Sequence, residues 1–189
     1  MEQRLLQAMF LYDKGDPKRI QHFVKVYEFA KYIGKGEKLD EKTYKTLKLA
    51  AIVHDIGIHK AEKKYGQCGG KLQEKEGPPE AEKLLKKLGA DREIIDRVCY
   101  LVGHHHTYTE IDGLDYQILI EADFLVNLYE DGVDQKAVRA AYDRIFKTWA
   151  PRALLTSPAR LSWVMICSRY LSEISCRWEI FLMGMKLPV

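Results

Sequence analysis

Ala50-Ala51-Ile52-Val53-His54-Asp55-Ile56-Gly57 is the most informative run of this chain. It places an imidazole and a carboxylate side by side among residues that are otherwise apolar. An unpaired charge in such surroundings carries a large desolvation cost, so another group must compensate the pair. A divalent cation is the simplest compensation, and the run therefore predicts a metal site on the buried face of a helix.

Helical periodicity extends through almost the whole chain, without a convincing alternating strand pattern or hairpin signal. It predicts an all-α, single-domain helical bundle. Residues 65–79 contain four glycines and two prolines, a composition that predicts a loop and a mobile flap. The predicted helices cover approximately residues 5–11, 17–34, 40–58, 80–88, 92–105, 116–130, 134–149 and 157–183.

Ionisable side chains fall on the apolar faces of these helices. His22, His54, His105 and Asp123 stand three or four residues from apolar positions, and Asp55 lies at the edge of the stripe that contains His54. A lone inward histidine is usually a core residue whose ring nitrogens have hydrogen-bond partners. Two inward histidines and two carboxylates on three helices are different, because buried charges are normally paired or bound to metal. The set His22, His54, Asp55 and Asp123 therefore predicts a metal site.

Composition excludes several classes of protein. With 189 residues, of which 47% are hydrophobic, the chain is expected to form one domain over residues 1–189. Its 30 basic and 27 acidic residues are too balanced to indicate a nucleic-acid partner. Four cysteines without a paired motif favour reduced thiols and a cytoplasmic location. Charges interrupt the apolar segment 161–185, so no membrane span or membrane partner is expected.

The ordered set of a histidine, a His-Asp doublet and a distant aspartate resembles the HD-domain metal-dependent phosphohydrolase superfamily. The matching phrases are Arg19-Ile20-Gln21-His22, Val53-His54-Asp55-Ile56-Gly57 and Glu121-Ala122-Asp123-Phe124. The resemblance covers approximately residues 16–130. Helices over 134–185 lie outside it and are expected to pack on this domain or to form a homo-oligomer interface.

The resemblance implies a hydrolase in which a metal-bound water attacks a phosphomonoester or phosphoanhydride, with a small phosphorylated compound such as a nucleotide as substrate. Its metal ligands would be His22, His54, Asp55 and Asp123. Imidazoles and carboxylates suit Mn, Fe, Co, Ni, Zn or Mg, and four ligands leave two octahedral positions open. Asp55 or Asp123 is expected to orient or deprotonate the nucleophile, and the triplet His104-His105-His106, above all His104 or His105, to donate a proton to the leaving group.

Departures from the superfamily pattern narrow this expectation. Binuclear members carry another histidine where this chain has Gly77-Pro78-Pro79-Glu80, so one metal per chain is expected. A second ion would need Glu76 or Glu80 together with His104 or His105. The motifs of cyclic-dinucleotide phosphodiesterases, alarmone hydrolases and deoxynucleoside triphosphohydrolases are missing or offset around Ile58 and His59. With these three specialised activities set aside, the resemblance implies a small stand-alone phosphohydrolase.

Two basic residues are candidates for binding the substrate phosphate. Arg19 lies one helical turn before His22, and Lys60 borders the predicted loop. An alternative function is a metal- or nucleotide-binding signalling module that keeps the ligands without turnover, since a fold does not prove catalysis. A second alternative is an interaction protein that associates through the apolar C-terminal helix.

Overall fold

A computed structural model describes residues 1–149 and 151–152, and this part of the chain contains eight α-helices and no strand. The predicted all-α fold class is confirmed. None of these helices is both long and apolar enough to cross a membrane. The predicted helix over 157–183 lies outside the described residues. The helices are α1 (Glu2–Tyr12), α2 (Pro17–Gly36), α3 (Glu41–Val53), α4 (Ile58–Tyr65), α5 (Gly70–Leu88), α6 (Arg92–Val102), α7 (Leu114–Glu130) and α8 (Gln135–Arg144).

The core forms where α2, α3 and α7 pack against one another. Phe23 and Val26 of α2, Leu47 of α3, and Leu119 and Val126 of α7 are almost inaccessible to solvent. Helix α6 packs on α3, and α5 packs on α6 and α4. Each helix buries the apolar stripe that its 3.6-residue period predicts, which fixes the rotation of the helix and therefore which polar residues face inward.

Aspartate caps begin three of the helices. Asp16 accepts a hydrogen bond from the backbone N–H of Arg19, and Asp40 accepts one from the N–H of Thr43. Asp134 caps α8 in the same way. Such a cap contributes about 1 kcal/mol, because it satisfies a backbone donor that has no partner within the helix. The caps set the starts of α2, which carries the first motif phrase, and of α3, which leads directly into the second.

The helix predicted over residues 40–58 is broken. Helix α3 ends at Val53, residues 54–57 form turns, and α4 begins at Ile58. The backbone N–H of Ile56 donates to the carbonyl of Val53, and that of Ile58 to the carbonyl of Asp55. The sequence did not reveal this break because Val53 before it, Ile56 within it and Ile58 after it are all buried, so the apolar pattern continues through the turn.

The loop and mobile flap predicted over residues 65–79 are wrong, since residues 70–79 are the first half of α5. Tertiary packing outweighs the helix-breaking tendency of the glycines and prolines here. Gly77 allows α5 to approach its neighbours closely: a Cβ atom there would lie 2.6 Å from Val102 Cγ1. Glu76 is buried and accepts hydrogen bonds from Lys64 and Tyr65. Only the short segment 66–69 between α4 and α5 is not helical.

Helix α8 ends at Arg144 rather than near residue 149 as predicted. The reason lies in Glu121, a carboxylate with no exposed surface on α7. It accepts hydrogen bonds from the backbone N–H groups of Lys147 and Thr148 and from the Thr148 hydroxyl. These N–H groups are therefore bonded to a side chain, which replaces the continuation of the helix.

Substituting Gly57 with alanine is expected to destabilise the protein. A Cβ atom at Gly57 would lie 2.7 Å from both the Gln73 carbonyl oxygen and the Gly77 nitrogen, and backbone atoms cannot move aside cheaply. Overpacking of this kind costs about 1–3 kcal/mol in the free energy of unfolding, which denaturant titration measures. The matched control is Gly69→Ala, because the space around Gly69 is open and its φ is −59°. Equal stability of both variants would contradict the close α4–α5 packing.

Candidate metal centre

Five ionisable side chains converge in the interior of the bundle. His22 comes from α2, His54 and Asp55 from the turn after α3, His105 from the turn after α6, and Asp123 from α7. His54 and His105 are completely buried, and Asp123 and His22 nearly so. The inward placement that the sequence predicted for these four residues is confirmed. Asp55 is the most open of the five, with 22% of its side chain exposed.

The first ligand group consists of His22, His54 and Asp123. Each residue offers one possible metal-ligand atom, and these atoms lie within 4.8 Å of one another. His22 Nε2 lies 3.2 Å from His54 Nε2 and 3.1 Å from Asp123 Oδ1. Asp55 Oδ2 borders this group, 3.5 Å from His22 Nε2 and 3.4 Å from His54 Nε2. The four residues that the sequence proposed as ligands therefore meet at one place.

Asp55, His105 and His106 form the second ligand group, again within 4.8 Å of one another. The other carboxylate oxygen of Asp55, Oδ1, lies 3.4 Å from His105 Nε2. Asp55 therefore presents one oxygen to each group. The second site that the sequence left open combines His104 or His105 with Glu76 or Glu80. The structure instead brings His105 together with His106 and Asp55.

The three buried imidazoles all turn the same nitrogen toward the centre. Nδ1–H of His54 donates to the Ala51 carbonyl, and Nδ1–H of His105 donates to the Val102 carbonyl. Nδ1–H of His22 donates to the carboxylate of Glu130. Carbonyl and carboxylate oxygens only accept, so in each ring Nδ1 carries a proton. Nε2 is consequently the atom that can bind a cation in all three rings.

This convergence of acceptor atoms favours a positive charge at the centre. Among the residues that the structure describes, His105 Nε2 is buried without a hydrogen-bond partner, which costs about 1–3 kcal/mol if nothing binds it. Burial lowers the pKa of His22, but hydrogen bonds to Asp123 and Glu130 and the charge of Asp55 outweigh burial and raise this pKa to about 10. A proton on His22 thus supplies charge in the metal-free protein, and a divalent cation would replace it. The donor set fits such a cation.

The comparison with known protein families agrees with this geometry. The model of the HD domain matches residues 19–142, which is more than half of the chain. The chain belongs to the HD-domain family. This match confirms the resemblance found in the sequence, and it also includes most of α8, which lies beyond the residues that carry the resemblance. No curated protein and no solved structure matched the chain.

His106 of this HD domain is held by Gln73 of α5. Gln73 Nε2 donates to the Cys68 carbonyl at 2.7 Å, so its Oε1 faces His106 Nε2, 2.9 Å away, and accepts a hydrogen bond from the N–H there. Burial and the nearby charge of His105 lower the pKa of His106 to about 4, so the ring is neutral at pH 7. Nδ1 of His106 therefore carries the free lone pair. No pattern in the sequence indicates Gln73, because it lies in the segment whose composition predicts a loop.

Helix α5 also fixes the turn that carries the histidines. Glu74 Oε1 accepts hydrogen bonds from the backbone N–H of His106 and from the Thr107 hydroxyl. Lys71 contacts the other oxygen of Glu74 at 2.9 Å. The segment predicted to be mobile is thus the element that positions the second ligand group of the HD domain.

Three further candidate residues lie elsewhere. Arg19 pairs with Asp16 at 3.0 Å and Glu62 at 2.6 Å, and contacts His59 Nδ1 at 2.9 Å. Lys60 pairs with Glu76 and Glu80. His104 donates from Nδ1 to the Tyr100 carbonyl and stacks on the Tyr100 ring with centroids 4.3 Å apart. None of the three belongs to either ligand group among the described residues.

Proposed function

We propose that this protein is a metal-dependent phosphohydrolase that acts on a phosphomonoester or phosphoanhydride of a small substrate, with a nucleotide as the expected class. The observation that carries the proposal is the carboxylate of Asp55, which belongs to the second ligand group, lies within 3.5 Å of two imidazoles of the first group, and is more exposed than the buried ligands around it. A site built only for stability would close its ligand shell, whereas a catalytic site keeps an open side.

His22, His54, Asp55 and Asp123 are the proposed ligands of a first divalent ion. Such an ion supplies Lewis acidity to a phosphoryl oxygen and lowers the pKa of water that it binds. The residues' own contribution is orientation: the hydrogen bonds at Nδ1 hold the imidazoles of His22 and His54 in place, and Asn127 donates to Asp123 Oδ1 at 2.9 Å. Partners of this kind fix the direction of a ligand and its basicity.

Asp55, His105 and His106 are the proposed ligands of a second divalent ion, in place of the single ion per chain that the sequence predicts. Asp55 and Asp123 are the only carboxylates in the two groups, so they balance the charge of a single divalent cation. A second cation would leave excess positive charge, which favours binding of a phosphate anion at the open side near Asp55. For His105 this geometry favours a ligand role over the proton-donor role expected from the sequence.

Arg19 and Lys60 contribute at most secondary contacts to the substrate phosphate. Both side chains already have carboxylate partners, and a phosphate would have to compete with them. The positive charge of the bound ions is the stronger attraction for phosphate in this site.

The proposal is tested by measuring phosphate release from a panel of nucleotides and sugar phosphates with Mn²⁺, Co²⁺, Ni²⁺ or Mg²⁺. We expect metal-dependent release from at least one substrate, suppressed by a chelator and restored by the ion. Tight metal or nucleotide binding without release across the panel would contradict the proposal and favour the non-catalytic signalling module.

A further inference from the structure

A buried ion pair lies directly behind His22. Lys25 Nζ contacts Glu130 Oε1 at 3.0 Å, and only 4% of the lysine side chain and 13% of the glutamate side chain are exposed. The other oxygen, Glu130 Oε2, accepts the proton of His22 Nδ1 at 2.9 Å. Both residues lie outside the ligand groups, yet the glutamate touches one of the ligands.

The packing of α2 against α7 brings His22 and Lys25 together with Asp123 and Glu130. His22 and Lys25 are three residues apart on α2 and so share a face of that helix. Asp123 and Glu130 are seven residues apart on α7, which is two turns and the same face. His22 and Asp123 are the proposed ligands, and Lys25 and Glu130 lie beside them. The contact between the two helices therefore holds both the ligands and the ion pair.

Stability alone does not account for burying Lys25 with Glu130. Lysine is rarely buried, and taking two charges out of water usually costs as much as their attraction returns. Apolar residues of similar volume would stabilise the same α2–α7 contact at least as well. The pair therefore calls for another role, and its contact with His22 indicates one.

We propose that Glu130 is a positioning residue for metal binding, held in place by Lys25. Glu130 fixes the ring of His22 with Nε2 toward His54 and Asp123, and its negative charge makes Nε2 a stronger electron donor. Lys25 binds the remaining oxygen and keeps the carboxylate in one orientation. This inference rests on the metal centre of the proposed function and goes beyond it by assigning roles to two residues outside the ligand groups.

His22 differs in this respect from the other two buried imidazoles. His54 and His105 donate to backbone carbonyls, which are neutral acceptors that no substitution removes. His22 alone among these three donates to a carboxylate. The effect of Glu130 is therefore expected in the first ligand group, which contains His22, rather than in the second.

The test uses the full chain and Mn²⁺ alone as the probe, with affinity measured by titration calorimetry. The variants are Glu130→Gln, Lys25→Met and the double variant Lys25→Met/Glu130→Gln, which leaves no unpaired charge in the interior. The matched control is Glu2→Gln, because Glu2 also accepts from a lysine, Lys48, and from a second donor, Tyr27. The free energy of unfolding of each metal-free variant is measured in parallel.

We expect Glu130→Gln to bind Mn²⁺ about 10- to 100-fold more weakly than the wild type, the usual effect of losing such a partner. The double variant should recover the stability lost in Glu130→Gln, but not the affinity. Lys25→Met should weaken binding less, since Glu130 remains, and Glu2→Gln should bind as the wild type does. The visible spectrum of the Co²⁺-loaded protein should change in Glu130→Gln and stay the same in Glu2→Gln.

Two results would overturn the inference. One is wild-type affinity for Mn²⁺ in Glu130→Gln, and the other is recovery of affinity together with stability in the double variant, which would make the pair merely structural. Failure of the proposed function is a separate result: absence of phosphate release from a wild type whose Mn²⁺ affinity still depends on Glu130 would reject hydrolysis and retain the positioning role.

Discussion

Substituting Asp55 with asparagine is expected to reduce phosphate release about 10³-fold or more. Asp55 offers one oxygen to each ligand group, so the variant loses the negative charge that both share. Metal ions contribute several kcal/mol to stabilising a phosphoryl-transfer transition state, and each 1.4 kcal/mol corresponds to about tenfold in rate. Initial rates at saturating Mn²⁺ measure the effect on any substrate that the wild type hydrolyses.

The matched control for this substitution is Asp13→Asn. Asp13 is also an aspartate beside a histidine, His59, at 2.8 Å, but it is buried and belongs to neither ligand group. Its removal should change stability without removing metal-dependent hydrolysis. Comparable loss of activity in both variants would show that the effect of Asp55→Asn arises from damage to the fold, and near wild-type activity in Asp55→Asn would exclude Asp55 as a shared ligand.

Saturating divalent metal is expected to raise the melting temperature by about 10 °C. A ligand that binds only the folded state at 100 to 1,000 times its Kd adds about 3–4 kcal/mol, and in a chain of this size each kcal/mol shifts Tm by about 2–4 °C. The acceptor atoms of His22, His54, His105, Asp55 and Asp123 meet only in the folded protein, which is why the stabilisation should be large.

Calorimetry or circular dichroism with and without Mn²⁺ measures this shift. A chelator should reverse it, and the double variant Asp55→Asn/Asp123→Asn should show little of it because both carboxylates of the centre are gone. A shift of equal size in this double variant would place the stabilising ion somewhere else on the protein.

The sequence predicted the first ligand group because its members follow apolar periodicity. His22, His54 and Asp123 each replace an apolar residue on a buried stripe, and the packing of amphipathic helices then forces them inward. The start of α2 was equally predictable, since Asp16-Pro17 satisfies the local rules for a helix N-terminus. Local patterns fixed these features, so no knowledge of distant contacts was needed.

Features that depend on contacts between distant segments could not be predicted in this way. Gly77 and the prolines after it resemble a loop, because a sequence does not show that α5 must approach Val102 closely. The break after Val53 is hidden because the apolar, buried positions continue through it.

The charged partners of the site, Lys25 and Glu130, could not be predicted either. Lys25 and Glu130 resemble ordinary solvent-exposed charges when each is considered on its own helix. Their spacing from His22 and Asp123, three and seven residues, was the one available signal, and it acquires meaning only when α2 packs on α7. Polar partners of a site are therefore found from the assembled fold rather than from one helix.

Metal content after exposure to Mn²⁺, Co²⁺, Ni²⁺, Zn²⁺ or Mg²⁺ and removal of free ion is the most direct test that the converging side chains form a cation site. Elemental analysis of the wild type should find two retained ions per chain for at least one of these metals. The variant His105→Ala should lose the second ion and keep the first. The variant Asp55→Asn/Asp123→Asn should retain none. A correctly folded wild type that stays free of metal with every ion would contradict the account.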